Sequence, residues 1–125
     1  MAVSRVVFDS AALLIFLRGE QGADRVARAL EQPGCISAVS FGALLVALPT
    51  TPPRTVAEDL ARLNLEIAPI DSGCAVDAAR LVQSGVKLEA AFTVALARAR
   101  GLEVMLGERG VTVPPEWKIT PAFLH

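Results

Sequence analysis

The chain has no tyrosine, one tryptophan and one histidine, His125, which is its last residue. A terminal histidine is a poor member of an acid–base pair, so a Ser/His/Asp triad is set aside. Five phenylalanines and one tryptophan, with no basic stripe among them, offer no stacking platform for single-stranded nucleic acid. Neither sign of charge dominates: 12 basic residues against 13 acidic give a net charge of −1. RNA binding is therefore possible but unsupported by net charge. The two cysteines, Cys35 and Cys74, do not form a CxxC pair, and buried reduced thiols are expected rather than a disulfide or zinc site. Long apolar runs are missing too. "AALLIFL" (11–17) and "FGALLVAL" (41–48) fall well short of the roughly 20 residues that span a bilayer. Asp9 interrupts the N-terminal apolar stretch and no clear cleavage site follows, so a cytoplasmic protein away from membranes is expected. No phosphate loop of the GxxxxGK[ST] type occurs.

What is present is apolar. Hydrophobic residues make up 53% of the 125, enough to fill one core, and a single domain over residues 1–125 is expected. A small domain cannot hide all of that excess. Exposed apolar patches generally mark partner surfaces, which predicts a homodimer or a protein partner. Arg25 with Arg28, and Arg98 with Arg100, read as solvated helix faces.

Along the chain, "RVVFD" (5–9) reads as a short buried strand ending at an acid, followed by an apolar helix that closes at Gly19. A helix over 22–34, a strand "CISAV" (35–39) and a helix capped by Ser40 follow. After a proline-rich loop, Thr55 and Glu58 stand at capping-box spacing ahead of a fourth helix. "LEIAPI" is a strand, and 71–85 a helix capped near Asp71 or Ser72. Residues 87–101 form the clearest helix, stopped by Gly101. "LEVML" (102–106) is a strand and "EWKIT" (116–120) a candidate last one.

Strands alternating with helices imply right-handed crossovers and parallel pairing. The expected fold is α/β, a three-layer α/β/α sandwich around a mostly parallel sheet of four to five strands. Ligands of such sheets sit beyond the carboxyl ends of the strands, at the switch point. If the strands neighbour one another, Asp9, Ser40 and Glu108 converge there.

Three segments, in order, resemble the PIN domain, the nuclease fold of VapC toxins in bacterial toxin–antitoxin pairs. They are "VVFDSAALLIFLRGE" (6–20), "ISAVSFGALLVAL" (36–48) and "KLEAAFTVALARARGLEVMLGERG" (87–110). The resemblance implies a metal-dependent endoribonuclease whose acids hold Mg²⁺ or Mn²⁺, hard cations that take oxygen ligands. Asp9 matches the first acid and Glu108 the last, so these two are the candidate catalytic and metal-binding residues, with Ser40 orienting Asp9. Arg109 matches an arginine that follows the last acid. The second and third acids fall on Ala43 and Ala90. Glu89 is one residue from the third position, a rotation of about 100° on a helix, and is expected to reach the cleft only if the first turn frays. The expectation is therefore a PIN-like pseudoenzyme or impaired nuclease acting through protein partners, an antitoxin-like protein among them. It needs Mg²⁺ or Mn²⁺ if active and no cofactor otherwise. The alternative is an active VapC-like endoribonuclease toxin.

Overall fold

The computed structural model describes residues 3–124, so His125 lies outside the described residues. Five parallel strands form one sheet in the order β3-β2-β1-β4-β5. The central strand β1 (Val6–Phe8) is buried throughout, as its β-branched and aromatic residues require. It pairs with β2 (Gly34–Ser37) on one side and β4 (Glu103–Leu106) on the other. β3 (Leu65–Ala68) lies outside β2, and the two-residue β5 (Ala122–Phe123) outside β4.

Helices cover both faces. On one, α1 (Ser10–Leu17), α2 (Ala23–Ala29), α3 (Ala38–Ala47) and α4 (Pro53–Arg62) enclose Phe8, Leu13, Ile36 and Leu44. On the other, α5 (Ser72–Gln83) and α6 (Leu88–Arg100) pack over Val7, Val94 and Val104. The three-layer α/β sandwich expected from the sequence is thus the observed fold, with five strands, all parallel. Both cysteines are free and buried, and burial pushes the Cys35 thiol up to about 11.

Local chemistry explains most element ends. Asp71 caps α5 by accepting from the Cys74 amide, and Gly101 ends α6 in the left-handed conformation, φ +66°. Three boundaries differ from expectation. α4 starts at Pro53, because proline at the first helical position needs no amide partner, so Thr55 lies inside the helix rather than capping it. α3 starts at Ala38, and its cap is Ser37, whose hydroxyl accepts from the Ser40 amide; Ser40 is not the cap. "EWKIT" is not a strand. Pro115–Trp117 forms a single 3₁₀ turn ended by Lys118 at φ +56°, and the last strand is the later Ala122–Phe123.

The strand order places the topological switch at β1. The chain runs outward from β1 to β2 and β3, then returns to the other side of β1 as β4. A cleft at the carboxyl end of β1 is therefore flanked by the ends of both neighbouring strands.

Candidate functional site

Asp9 follows β1 directly and is 1% exposed. Its Oδ1 accepts from the Ala12 amide at 2.7 Å, capping α1, and from the Gly107 amide at 2.9 Å. Its Oδ2 accepts from the Glu108 amide at 3.1 Å. One carboxylate thus ties the start of α1 to the turn after β4, across the switch point. Burial outweighs the three amide donors, and with repulsion from Glu89 it pushes the Asp9 carboxyl up to about 6.

Glu89 sits in the first turn of α6, which is helical from Leu88 onward. Its carboxylate nevertheless enters the cleft, accepting from the Ser10 amide and the Ser10 hydroxyl, both at 2.6 Å, and from the Ser40 hydroxyl at 2.8 Å. The expectation that Glu89 needs a frayed turn is corrected: its long side chain reaches the amino terminus of α1 from an intact helix. There the helix dipole and the Ser10 amide, which has no acceptor within the helix, favour a negative charge. Thr93, one turn along α6, lies 3.3 Å from the Ser40 hydroxyl and donates to the Glu89 carbonyl.

The five buried polar or charged residues identified among the described residues are Asp9, Ser10, Ser37, Ser40 and Thr93. Ser10, Ser37, Ser40 and Thr93 join in a network around Glu89, Asp9 bonds three backbone amides beside it, and no buried side-chain nitrogen or oxygen among the described residues lacks a partner. Burying polar groups costs free energy unless each is hydrogen-bonded. A core that is otherwise apolar keeps its polar groups together at the strand ends.

The structure brings together Asp9, Ser40 and the Glu108 backbone, and adds Ser10, Glu89 and Thr93, which the sequence reading did not select as site residues. Ser40 bonds Glu89 rather than orienting Asp9. The Glu108 carboxylate pairs with the Lys87 ammonium at 3.0 Å, at the exposed rim. Arg109 is exposed. Ala90 is packed within the apolar cluster under α5 and α6, and Ala43 is half-buried on α3.

These acids do not fit a divalent ion as arranged. Mg²⁺ and Mn²⁺ need several free oxygen ligands. Asp9 accepts from three backbone amides, Glu89 from two serines, and one oxygen of Glu108 pairs with Lys87, so each acid is already engaged by the protein. Among the described residues no group of three or more His, Cys, Asp or Glu side chains comes together in a way that could hold a metal.

The fold, a five-stranded parallel sheet with six α-helices among the described residues, is shared with chains of solved toxin–antitoxin complexes. The chain is similar to a solved toxin–antitoxin complex from Klebsiella pneumoniae, with a TM-score of 0.73 and 20% identity over 92% of this chain and 95% of that one. It is also similar to FitAcB from Neisseria gonorrhoeae, with a TM-score of 0.66 and 16% identity over 94% of this chain and 96% of that one. DNA-bound VapBC from Salmonella typhimurium matches with a TM-score of 0.64 and 18% identity over 98% of this chain and all (100%) of that one. No family model and no curated protein matches the sequence. No helix among the described residues is long and apolar enough to cross a membrane.

Proposed function

We propose that this chain is a VapC-like protein of the toxin–antitoxin kind whose nuclease chemistry is impaired, and that it acts through an antitoxin-like protein partner. The observation that carries this reading is that Asp9, Glu89 and Glu108 are each engaged by protein donors. In this reading Asp9 and Glu108, the candidate metal-binding and catalytic residues, serve the fold, and Ser40 holds Glu89. Loss of partners around a metal commonly costs about 10- to 100-fold in affinity or activity, and loss of acids that bind it directly costs more.

The partner half of the reading is supported by exposed apolar surface. α3 carries no charged residue, has only Ser40 and Leu44 buried, and leaves Val46 81% exposed. Patches of this kind suit a protein partner, either a second copy of the chain in a homodimer or an antitoxin. A second reading, an active Mg²⁺- or Mn²⁺-dependent endoribonuclease, draws its support from Glu89, which places a second carboxylate near Asp9.

A cleavage assay on structured RNA with Mg²⁺ or Mn²⁺, comparing the wild type with Asp9→Asn, separates the two. The expected result is the same background cleavage from both proteins. Cleavage by the wild type that disappears in Asp9→Asn would establish the active nuclease instead.

A further inference from the structure

A second concave region lies away from the acidic cleft, at the sheet edge beside β4. β5 covers only Met105 and Leu106 of β4, so among the described residues the amino half of that strand, paired with β1 on its inner side, has no strand on its outer edge. A cavity of about 560 Å³ opens there, between α2 on one face and α6 on the other. That volume lies within the range of about 300–1,000 Å³ typical of small-molecule sites.

The lining combines apolar residues with three cations. Val6 and Met105 line it on the α2 side and Val104 on the α6 side, while Arg28 comes from α2, Arg98 from α6 and Lys118 from the turn before β5. Glu103 is the one acid among the lining residues, so the cavity is locally positive in a chain whose net charge is −1. Arg98 is held in place: its guanidinium lies 4.2 Å from the centre of the buried Trp117 ring and bonds Asp77 at 3.0 Å. A guanidinium fixed over an aromatic ring offers its outer face to a further planar group. Arg28 and Lys118 make no ion pair with the described residues, and Arg28 reaches only the Asp24 carbonyl, at 3.4 Å. Two unpaired cations beside a stacking surface suit a compact anion attached to a flat ring.

We propose that this cavity binds a nucleoside monophosphate, the base lying against Arg98 and the apolar residues and the phosphate meeting Arg28 and Lys118. The same chemistry is presented by a free mononucleotide and by the phosphorylated 5′ end of an RNA.

Calorimetry with adenosine 5′-monophosphate, adenosine, inorganic phosphate and a 5′-phosphorylated RNA pentamer tests the assignment. The monophosphate is expected to bind one to one, with adenosine and phosphate each about tenfold weaker or more. Arg28→Gln and Lys118→Gln, both at exposed positions, are each expected to weaken the monophosphate by about tenfold while leaving Tm unchanged. The pentamer binding more tightly than the monophosphate would make an RNA end the source, and equal or weaker binding a free nucleotide. The proposal is overturned by absence of saturable monophosphate binding at millimolar concentration, by unchanged affinity in both variants, or by phosphate binding as well as the monophosphate.

Discussion

Gly107→Ala is expected to lower stability by about 3–5 kcal/mol, through overpacking together with the hydrogen bonds it breaks. A Cβ at this position would lie 2.6 Å from the Ala11 carbonyl carbon and the Ala12 nitrogen, and 2.8 Å from the Ala11 Cβ. These contacts are mostly backbone, in the first turn of α1, so no side-chain rotation relieves them. That turn cannot move away freely. The Ala12 amide is held by Asp9, and Gly107 donates its own amide to the same carboxylate. Any shift that admits the methyl group stretches both bonds. Gly42→Ala is the control, since a Cβ at Gly42 meets nothing within 4 Å and the residue sits inside α3. It should raise stability by about 0.5–1 kcal/mol, because alanine loses less backbone freedom in a helix. Urea unfolding of the two variants beside the wild type checks both numbers.

Asp9→Ala is expected to cost about 2–4 kcal/mol at neutral pH, and more in mild acid. The substitution leaves three amides, those of Ala12, Gly107 and Glu108, without their acceptor, and each buried unsatisfied donor costs about 1–3 kcal/mol. Set against this is relief from holding a charge in a buried place. Burial raises the folded-state pKa of Asp9 to about 6 from its ordinary 3.8. The folded protein therefore keeps a proton that the unfolded chain releases between those values. The stabilisation from that proton is fully present below about pH 3.8 and is lost as pH rises through about 6. A shift of about two units corresponds to about 3 kcal/mol. Glu66 and Asp71 act in the opposite direction, their carboxyls being held low by Arg100 and by the Cys74 amide respectively. The Asp9 share is consequently read from the difference between wild type and Asp9→Asn across pH 4 to 7. That difference should move in favour of the wild type as pH falls. A pH-independent difference would show that Asp9 titrates as an ordinary carboxylate.

The fold was legible wherever one strong local signal stood alone. "VVFD" announces a buried strand and a cap together, and Gly101 closes a helix whose apolar face is continuous. Signals that competed were misread. "ISAVS" holds two serines three residues apart, and either could cap α3. The one at the strand end does so, because the helix begins as soon as β2 leaves the sheet, and Ser40 is thereby freed for Glu89. β5 is two residues long, too short for any alternation to register, whereas "EWKIT" alternates but is broken by Lys118 in the left-handed region.

Part of the candidate site is legible in the sequence. Asp9 stands out because an acid between two apolar runs is conspicuous. Helical rotation alone argues against Glu89, but it measures where a Cβ points and not how far a glutamate reaches. The position one residue on, Ala90, faces the apolar cluster, so the carboxylate in the cleft and the alanine in the core occupy adjacent residues on α6. Ser10 gives no signal in the sequence, and Ser40 is singled out by its place after β2 but bonds Glu89 rather than Asp9. Ser10 and Ser40 matter because the chain ends that carry them meet the same carboxylate, and that meeting is a property of the strand order rather than of any local sequence.

The central claim is that hydrogen bonds and one ion pair, rather than a metal, hold the acids of this cleft. Titrating Mn²⁺ into the purified protein while following Tm tests it most directly. An ion that bound the folded state alone would add about 2.7 kcal/mol at one hundred times its Kd, a rise of several degrees for a domain of this size. The account predicts no saturable change in Tm up to millimolar Mn²⁺. A saturable rise that is lost in Asp9→Asn would contradict it.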